Sequence, residues 1–444
     1  MFDSIYVAFT SQSSRRWMLM TALFIILSFT KMPEVMLHGR LWAEEGSVFM
    51  PDMASKSFLQ ALTYNYRGSV QLINAIACWF AIRSYVDLMP YVTTYAAFIV
   101  SGVLFMQLAY WAMGVANAPG FALFFLAGWF FLPESYEVWL TSTNIQWLCS
   151  LSVLMVLLLN EDIVRRRFGI ACAWTLLCGL TGVPSCMLAP GFIAKGILSR
   201  SVVFASLGGL LALSTCVQLL AILTTEFSNR SYDLHSLAIV QSIIAGTIFQ
   251  PIVGVKATSL VTTWVGMHYF SILICLLFST LILFAWRQHV ESRLRSQIFY
   301  VVGLWVLVTA LNVVGSIPGA SVLETAPLVG SRYFFFGASC LVISLLLLST
   351  SNHVAIRAFS TLLLVIIAAN GVGQRLLSSW PQRFLTGPSW AEQVHQCSSV
   401  RACVVEIWPA TIPPSEIRLP PGNGTSQISL TLPDTFIGNV DRGR

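Results

Sequence analysis

The sequence predicts an all-α polytopic membrane protein, and three observations predict it. The 444 residues are 56% hydrophobic and 10% charged, against about 25% charged in a soluble domain. The mean hydropathy is +0.75. Uncharged stretches run over 88–133, 168–194, 201–225, 296–323 and 333–356, and about 20 apolar residues suffice for one helical crossing. The runs are continuous rather than alternating, which reads as helices and not as the strands of a closed barrel.

The first apolar segment, 17–37, follows Arg15-Arg16. It lacks a small-residue cleavage site and is expected to stay as an anchor. Further basic clusters are Arg165-Arg166-Arg167, Lys195 with Arg200, Arg287 with Arg293 and Arg295, and more weakly Arg357. Lys and Arg gather in cytoplasmic loops, so all of these are expected inside.

Parity then limits the topology. Segments 17–37, 68–83, 90–112, 119–133 and 145–159 lie between two cytoplasmic clusters, and an even number of them must cross. Segment 68–83 is short, contains Gln71 and Asn74 and ends in Arg83; it is expected to lie in or near the outer interface. Segments 168–181 and 184–198 form a hairpin around Thr181-Gly182, and 201–223 leads out. Either 237–254 or 264–286 crosses before Arg287. The former contains Gln241, Gln250 and Pro251 and is expected to be re-entrant or interfacial. Segments 297–315, 333–350 and 354–372 complete about 11 crossings, with the N-terminus cytoplasmic and the C-terminus outside.

The transmembrane unit is thus 1–372, with an outer loop at 38–89 and a second at 133–146. Residues 373–444 are richer in Pro, Ser and Gly and read as a small extracytoplasmic segment, with short strands near 402–407 and 427–432. Cys397 and Cys403 would form a disulfide there if the compartment is oxidising. The other cysteines lie in apolar segments as small packing residues. The net charge of +6 reflects topology, and no nucleic-acid partner is expected. The bilayer itself is the expected surrounding.

Polar residues without an obvious structural task gather on the outer face. Glu44 and Glu45 follow the first crossing, ahead of Phe49, Met53, Phe58 and Leu62 at helical spacing, which suggests a juxtamembrane helix over 47–62. A carboxylate near an apolar boundary acquires a raised pKa useful to a general base; the alternative is a charge pair at a solvated helix start. Glu134, Glu137, Asn144 and Gln146 are flanked by Tyr136, Trp139 and Trp147. Carboxylates and amides beside aromatics suit sugars; the alternative is a loop with interfacial anchors. Arg332 and Tyr333 open an aromatic helix. Such an Arg holds phosphate bidentately or snorkels to the interface. Arg67 is a weaker candidate of the same kind. His38 and His268 stand singly and read as structural.

The run Leu41-Trp42-Ala43-Glu44-Glu45-Gly46, with Phe49 beyond it, resembles the W-A-E-[DE]-G-x-x-F signature of bacterial membrane glycosyltransferases of the GT-C superfamily. The group it resembles modifies O-antigen, the lipopolysaccharide side chain, or other surface polysaccharides, and includes serotype-converting transferases. Thr143 to Trp147, Leu180 to Gly182, Ser331 to Tyr333 and the cysteine-containing tail share the resemblance through shorter motifs. It implies a GT-C-like bundle in the inner membrane, a polyprenyl phosphate-linked sugar as donor and a surface glycan as acceptor, with inversion in one step. By this resemblance Glu44 or Glu45 is the base. Arg332, Tyr333 and Arg67 would hold the donor phosphate, and Trp42, Glu134, Glu137, Asn144 and Trp147 the sugar or acceptor. A divalent cation, Mg or Mn, would fall to Glu134 and Glu137, since no soft-ligand set exists. Rival classes are a lipid-linked sugar transporter or flippase, a polysaccharide polymerase, and an assembly partner without chemistry.

Overall fold

The computed structural model describes residues 13–42, 44–116, 118–225, 243–254, 257–258, 292–316, 331–377, 389–397, 403–406 and 427–430. Proline punctuates the first helices. α1 (Ser13–Lys31) ends two residues before Pro33, because Met32, the residue preceding proline, is pushed out of the helical region. Met32 accordingly has φ −140° and ψ 66°, and α2 (Pro33–His38) restarts with proline in its first turn. The expected single crossing at 17–37 is therefore two helices. A break of the same origin separates α6 (Met89–Val115) from α7 (Pro119–Phe130), with Ala118 extended before Pro119.

The juxtamembrane helix expected over 47–62 is also broken. A π-helical turn, Glu45–Phe49, continues into α3 (Met50–Ala54), and α4 (Phe58–Leu62) starts afresh on a Ser57/Gln60 capping box. Phe49 and Met53 are buried in a small second core, whereas Phe58 is exposed. A hairpin of β1 (Asn65–Tyr66) and β2 (Ser69–Val70) then leads to α5 (Leu72–Ala81). Ten residues of helix rise about 15 Å, half the hydrocarbon thickness.

Single 3-10 turns at Val86–Leu88 and Pro133–Ser135 flank α6 and α7, and the next α-helices are α8 (Ile145–Leu158), α9 (Glu161–Arg166), α10 (Phe168–Gly179), α11 (Val183–Cys186), α12 (Ala189–Leu198) and α13 (Val202–Thr224). After a second π turn, Ala245–Phe249, come α14 (Gln250–Val253), α15 (Ser292–Ser316), α16 (Arg332–Ser349), α17 (Val354–Leu377) and α18 (Trp390–Cys397). β3 (Cys403–Glu406) and β4 (Gln427–Leu430) pair antiparallel, Cys403 opposite Leu430, within the two segments where the sequence predicts strands.

This is a multi-pass helical protein of membrane character. Among the described residues five helical stretches are long and apolar enough to cross a bilayer: Val86–Val115, Val202–Thr224, Arg295–Asn312, Arg332–Ser349 and Val354–Leu376. α7, α8, α10 and α12 are apolar but shorter. Segment 264–286 lies outside the described residues. So does 237–242, the first part of the expected re-entrant segment. α8 and α16 are buried along nearly their whole length and form the centre. α7 is tied to α16 by the Trp129 indole N–H donating to Ser339 Oγ at 3.1 Å. α13 and α17 turn exposed leucines and valines outwards, a face fitted to lipid.

α8 also sets the separation of two ends. Its fourteen residues rise about 21 Å. At its start lie the acidic candidates; past its end lie Arg165 to Arg167. There Lys195 Nζ donates to the Leu159 carbonyl at 3.2 Å and to the Leu157 carbonyl, closing carbonyls that the helix leaves open.

α18 has no counterpart in the sequence reading. Its Trp390 is buried, and the indole N–H donates to the Val86 carbonyl at 2.8 Å, which fastens the C-terminal segment to the acidic end. The side chains of Cys397 and Cys403, and the disulfide predicted between them, lie outside the described residues.

Candidate functional site

The two adjacent glutamates have different surroundings. Glu45 is buried. Its Oε2 accepts the Trp42 backbone N–H at 3.0 Å; its Oε1 accepts the Ser142 N–H at 2.6 Å and, more weakly, the Thr143 N–H at 3.4 Å. The Ser142 hydroxyl sits 2.7 Å from the same oxygen and 2.5 Å from Asn74 Oδ1. Burial pushes the Glu45 carboxyl above its ordinary pKa, and the hydrogen bonds pull against that. The arrangement clamps the first outer loop, α5 and the second outer loop together.

Glu44 is half-buried, and its Oε2 has no hydrogen-bond partner among the described residues. Its charge acts on Arg332. Arg332 opens α16 with its Nη1 3.8 Å from Glu137 Oε2, and its backbone N–H donates to that oxygen at 3.4 Å. A carboxylate at a helix N-terminus also complements the helix dipole. Arg332 Nη2 reaches Tyr333 Oη at 3.3 Å. The Asn144 amide donates to the Glu137 carbonyl at 2.7 Å, and Trp147 meets Tyr333 edge-on with ring centroids 5.5 Å apart. Glu137, Asn144, Trp147, Arg332 and Tyr333, scattered over the sequence, thus converge, with Glu44 near enough for its charge to act on Arg332.

A second ionisable pair lies at the same end. Lys31 is fully buried. Its Nζ donates to the Phe130 carbonyl at 2.5 Å and to the Ser135 hydroxyl. It also stands 5.2, 4.9 and 4.8 Å from the ring centres of Phe130, Tyr136 and Trp139, a cation–π box. Glu134 is equally buried, and no other described residue hydrogen-bonds to either oxygen. Burial pushes its carboxyl up to about 8, with the Lys31 charge pulling it back. Arg375 of α17 donates through Nε to the Lys31 carbonyl at 3.0 Å. Sequence reasoning missed Lys31. The available signal was a single Lys in an apolar run, two residues before a proline.

Other expectations change. Trp42 and Trp147, expected against sugar or acceptor, are buried, as are Tyr136 and Trp139; their faces meet protein. Arg67 is exposed at the tip of the β1–β2 hairpin, with φ 48°, against the Tyr66 ring. His38 is partnered, 3.5 Å from Glu34 Oε2. Glu137 stands 3.8 Å from Arg332, and the Lys31 charge acts on Glu134. Among the described residues no group of three or more His, Cys, Asp or Glu gathers to hold a metal ion. The donor set at these two glutamates therefore does not fit a divalent cation, and no step below uses one.

Comparisons with protein-family models, curated proteins and solved structures returned no match for this chain.

Proposed function

We propose that the chain is an integral-membrane glycosyltransferase of GT-C type. It moves a sugar from a polyprenyl phosphate to a surface-glycan acceptor at the outer face of a bacterial inner membrane. In this topology about 11 helices cross, the N-terminus is cytoplasmic and the C-terminus periplasmic. The observation that supports the reading is the Arg332–Glu137 pair at the start of α16, with Glu44 acting on the same guanidinium. Arg332 stands 3.8 Å from Glu137 at the mouth of an aromatic helix, and Glu44, with one uncommitted oxygen, is near enough for its charge to act on that guanidinium.

In the proposed reaction Glu44 takes the proton of an acceptor hydroxyl. The acceptor oxygen bonds to the anomeric carbon as the carbon–oxygen bond to phosphate breaks, and the phosphate leaves with that electron pair. Arg332 stabilises the charge on the leaving phosphate, and Glu137 and Asn144 hold Arg332 in position. Glu45 is a positioning residue, because its carboxylate is already committed to donors from Trp42, Ser142 and Thr143.

The test is sugar transfer to surface polysaccharide in cells carrying wild type, Glu44→Gln or Glu45→Gln at matched membrane expression. Glu44→Gln is expected to cut transfer by about 10²–10⁴-fold, the usual contribution of a general base. Full transfer by both variants and by the double variant overturns the assignment.

The buried Lys31–Glu134 pair favours one other reading, a transporter or flippase for lipid-linked sugar, since ionisable groups inside a helical bundle often mark transport paths. Acceptor-dependent release of polyprenyl phosphate by purified protein separates the two: the transferase releases it and the transporter does not.

A further inference from the structure

At the arginine end, about 20 Å along α8 from Glu44, α1, α6, α9 and α10 enclose a groove of about 790 Å³. Its wall is apolar: Phe24 and Ile25 of α1, Ile99 and Val103 of α6, and Ile170 of α10 line it. Two of the polar side chains along it, Trp174 and Gln107, are joined through Ser152. The Trp174 indole N–H donates to Ser152 Oγ at 2.8 Å, and the Ser152 hydroxyl donates to Gln107 Oε1 at 2.5 Å. Below its mouth the groove therefore asks for hydrocarbon.

The mouth has a different chemistry. Arg166 and Arg167 line it and are both exposed. The preceding Arg165 is turned to Glu161, 2.5 Å away, and Asp162 is exposed one turn before Arg166, so three arginines stand against two acids and the mouth keeps a positive balance. Trp17 and Tyr110 stack there with ring centroids 6.4 Å apart, the pairing of aromatics and cations found at headgroup depth. Gly102 keeps the wall open beside Phe24: a Cβ at Gly102 would stand 3.2 Å from that ring.

We propose that this groove is a binding site for one anionic phospholipid of the leaflet at the arginine end, with an acyl chain along α1 and α6 and the phosphate on Arg166 and Arg167. An apolar slot ending in two guanidinium groups is complementary to a chain ending in a phosphodiester. A zwitterionic lipid offers the same chain, but its choline charge opposes the two arginines. The site needs only the membrane character of the helices and is independent of the glycosyltransferase reading.

The test is native mass spectrometry of the full-length protein in mild detergent, titrated with dioleoyl phosphatidylglycerol or dioleoyl phosphatidylcholine. One retained phosphatidylglycerol per chain is expected, with phosphatidylcholine at least about tenfold weaker. The double variant Arg166→Gln/Arg167→Gln is expected to bind phosphatidylglycerol about thirtyfold more weakly, while Arg166→Lys/Arg167→Lys keeps most of the affinity. Ala171→Trp fills the groove with both arginines in place and is expected to lose the adduct, which carries the test if the glutamine pair disturbs folding. Equal retention of the two lipids, or undiminished phosphatidylglycerol binding by the glutamine pair and by Ala171→Trp, overturns the proposal. Displacement of the lipid by inorganic phosphate identifies a free-phosphate site instead, and selective displacement by polyprenyl phosphate identifies a carrier site; either overturns it.

Discussion

Glu45 Oε1 stands 2.6 Å from the backbone nitrogen of Ser142, 97 residues further along the chain. This contact joins the π turn behind the first helix to the second outer loop, with Asn74 of α5 at the same hydroxyl. Replacing Glu45 by Ala leaves three backbone N–H groups, of Trp42, Ser142 and, more weakly bonded, Thr143, buried without that acceptor. Each such group costs about 1–3 kcal/mol. Glu45→Ala is therefore expected to lower the unfolding temperature in detergent well below wild type. Glu45→Gln, which retains one acceptor oxygen, is expected to fall between the two. Wild-type stability in Glu45→Ala would dismiss the clamp.

The Glu134 carboxyl gives a pH dependence with a definite sign. Its pKa in the folded protein is raised to about 8 from an ordinary 4.5. The folded state thus holds the proton more tightly than the unfolded state. The associated stability is full below pH 4.5, declines as pH rises through 8 and is flat above. Glu134→Gln removes this term. Relative to wild type, the variant is expected to gain unfolding temperature at pH 8 compared with pH 5. A constant difference between variant and wild type across that window would mean that Glu134 stays ionised beside Lys31 at both pH values.

Gly371 lies on α17 where a Cβ would fall on the Phe131 carbonyl oxygen. Backbone cannot swing aside as a side chain does, so Gly371→Ala must shift α17 away from the corner after α7. One turn further on, Arg375 donates to the Lys31 carbonyl, and the shift would stretch this bond as well. The expected cost is about 1–3 kcal/mol, read as a lower unfolding temperature. Gly373→Ala, on the same helix with open space around its Cβ position, is the matched control and is expected to be near neutral.

The reach of the sequence follows from what local patterning encodes. Apolar run length placed α6, α13, α15, α16 and α17, while Gln71, Asn74 and Arg83 set off the shorter α5. Glu44 and Glu45 drew notice together, yet nothing in the sequence separated them. Adjacent residues on a helix point about 100° apart, and which of them faces Ser142 depends on packing between segments far apart in the chain. Lys31 was hidden for the same reason. A lysine near the end of an apolar run ordinarily snorkels, and only the corner formed by Phe130, Ser135, Tyr136 and Trp139 turns it inwards. The aromatics of the second outer loop read equally well as a sugar platform or as core, because composition fixes neither direction.

Arg332 and Glu137 decide between a phosphate-binding and an anchoring role for the mouth of α16. Their side chains approach to 3.8 Å and are 24% and 9% exposed, so the pair is partly desolvated. If Arg332 only anchors the helix, Arg332→Lys keeps a snorkelling cation and transfer should stay at the wild-type level. If it stabilises a leaving phosphate, lysine loses the planar fork and transfer should fall clearly. Arg332→Gln should then lose about 10²–10³-fold, the usual loss of one donor to a developing oxyanion. Glu137→Gln keeps the shape but removes the charge that holds the guanidinium, so a smaller loss is expected. Because Glu137 would act only through Arg332, its substitution should cost little further in the Arg332→Gln background. Independent, multiplying losses from the two substitutions would show that Glu137 has a role of its own in transfer.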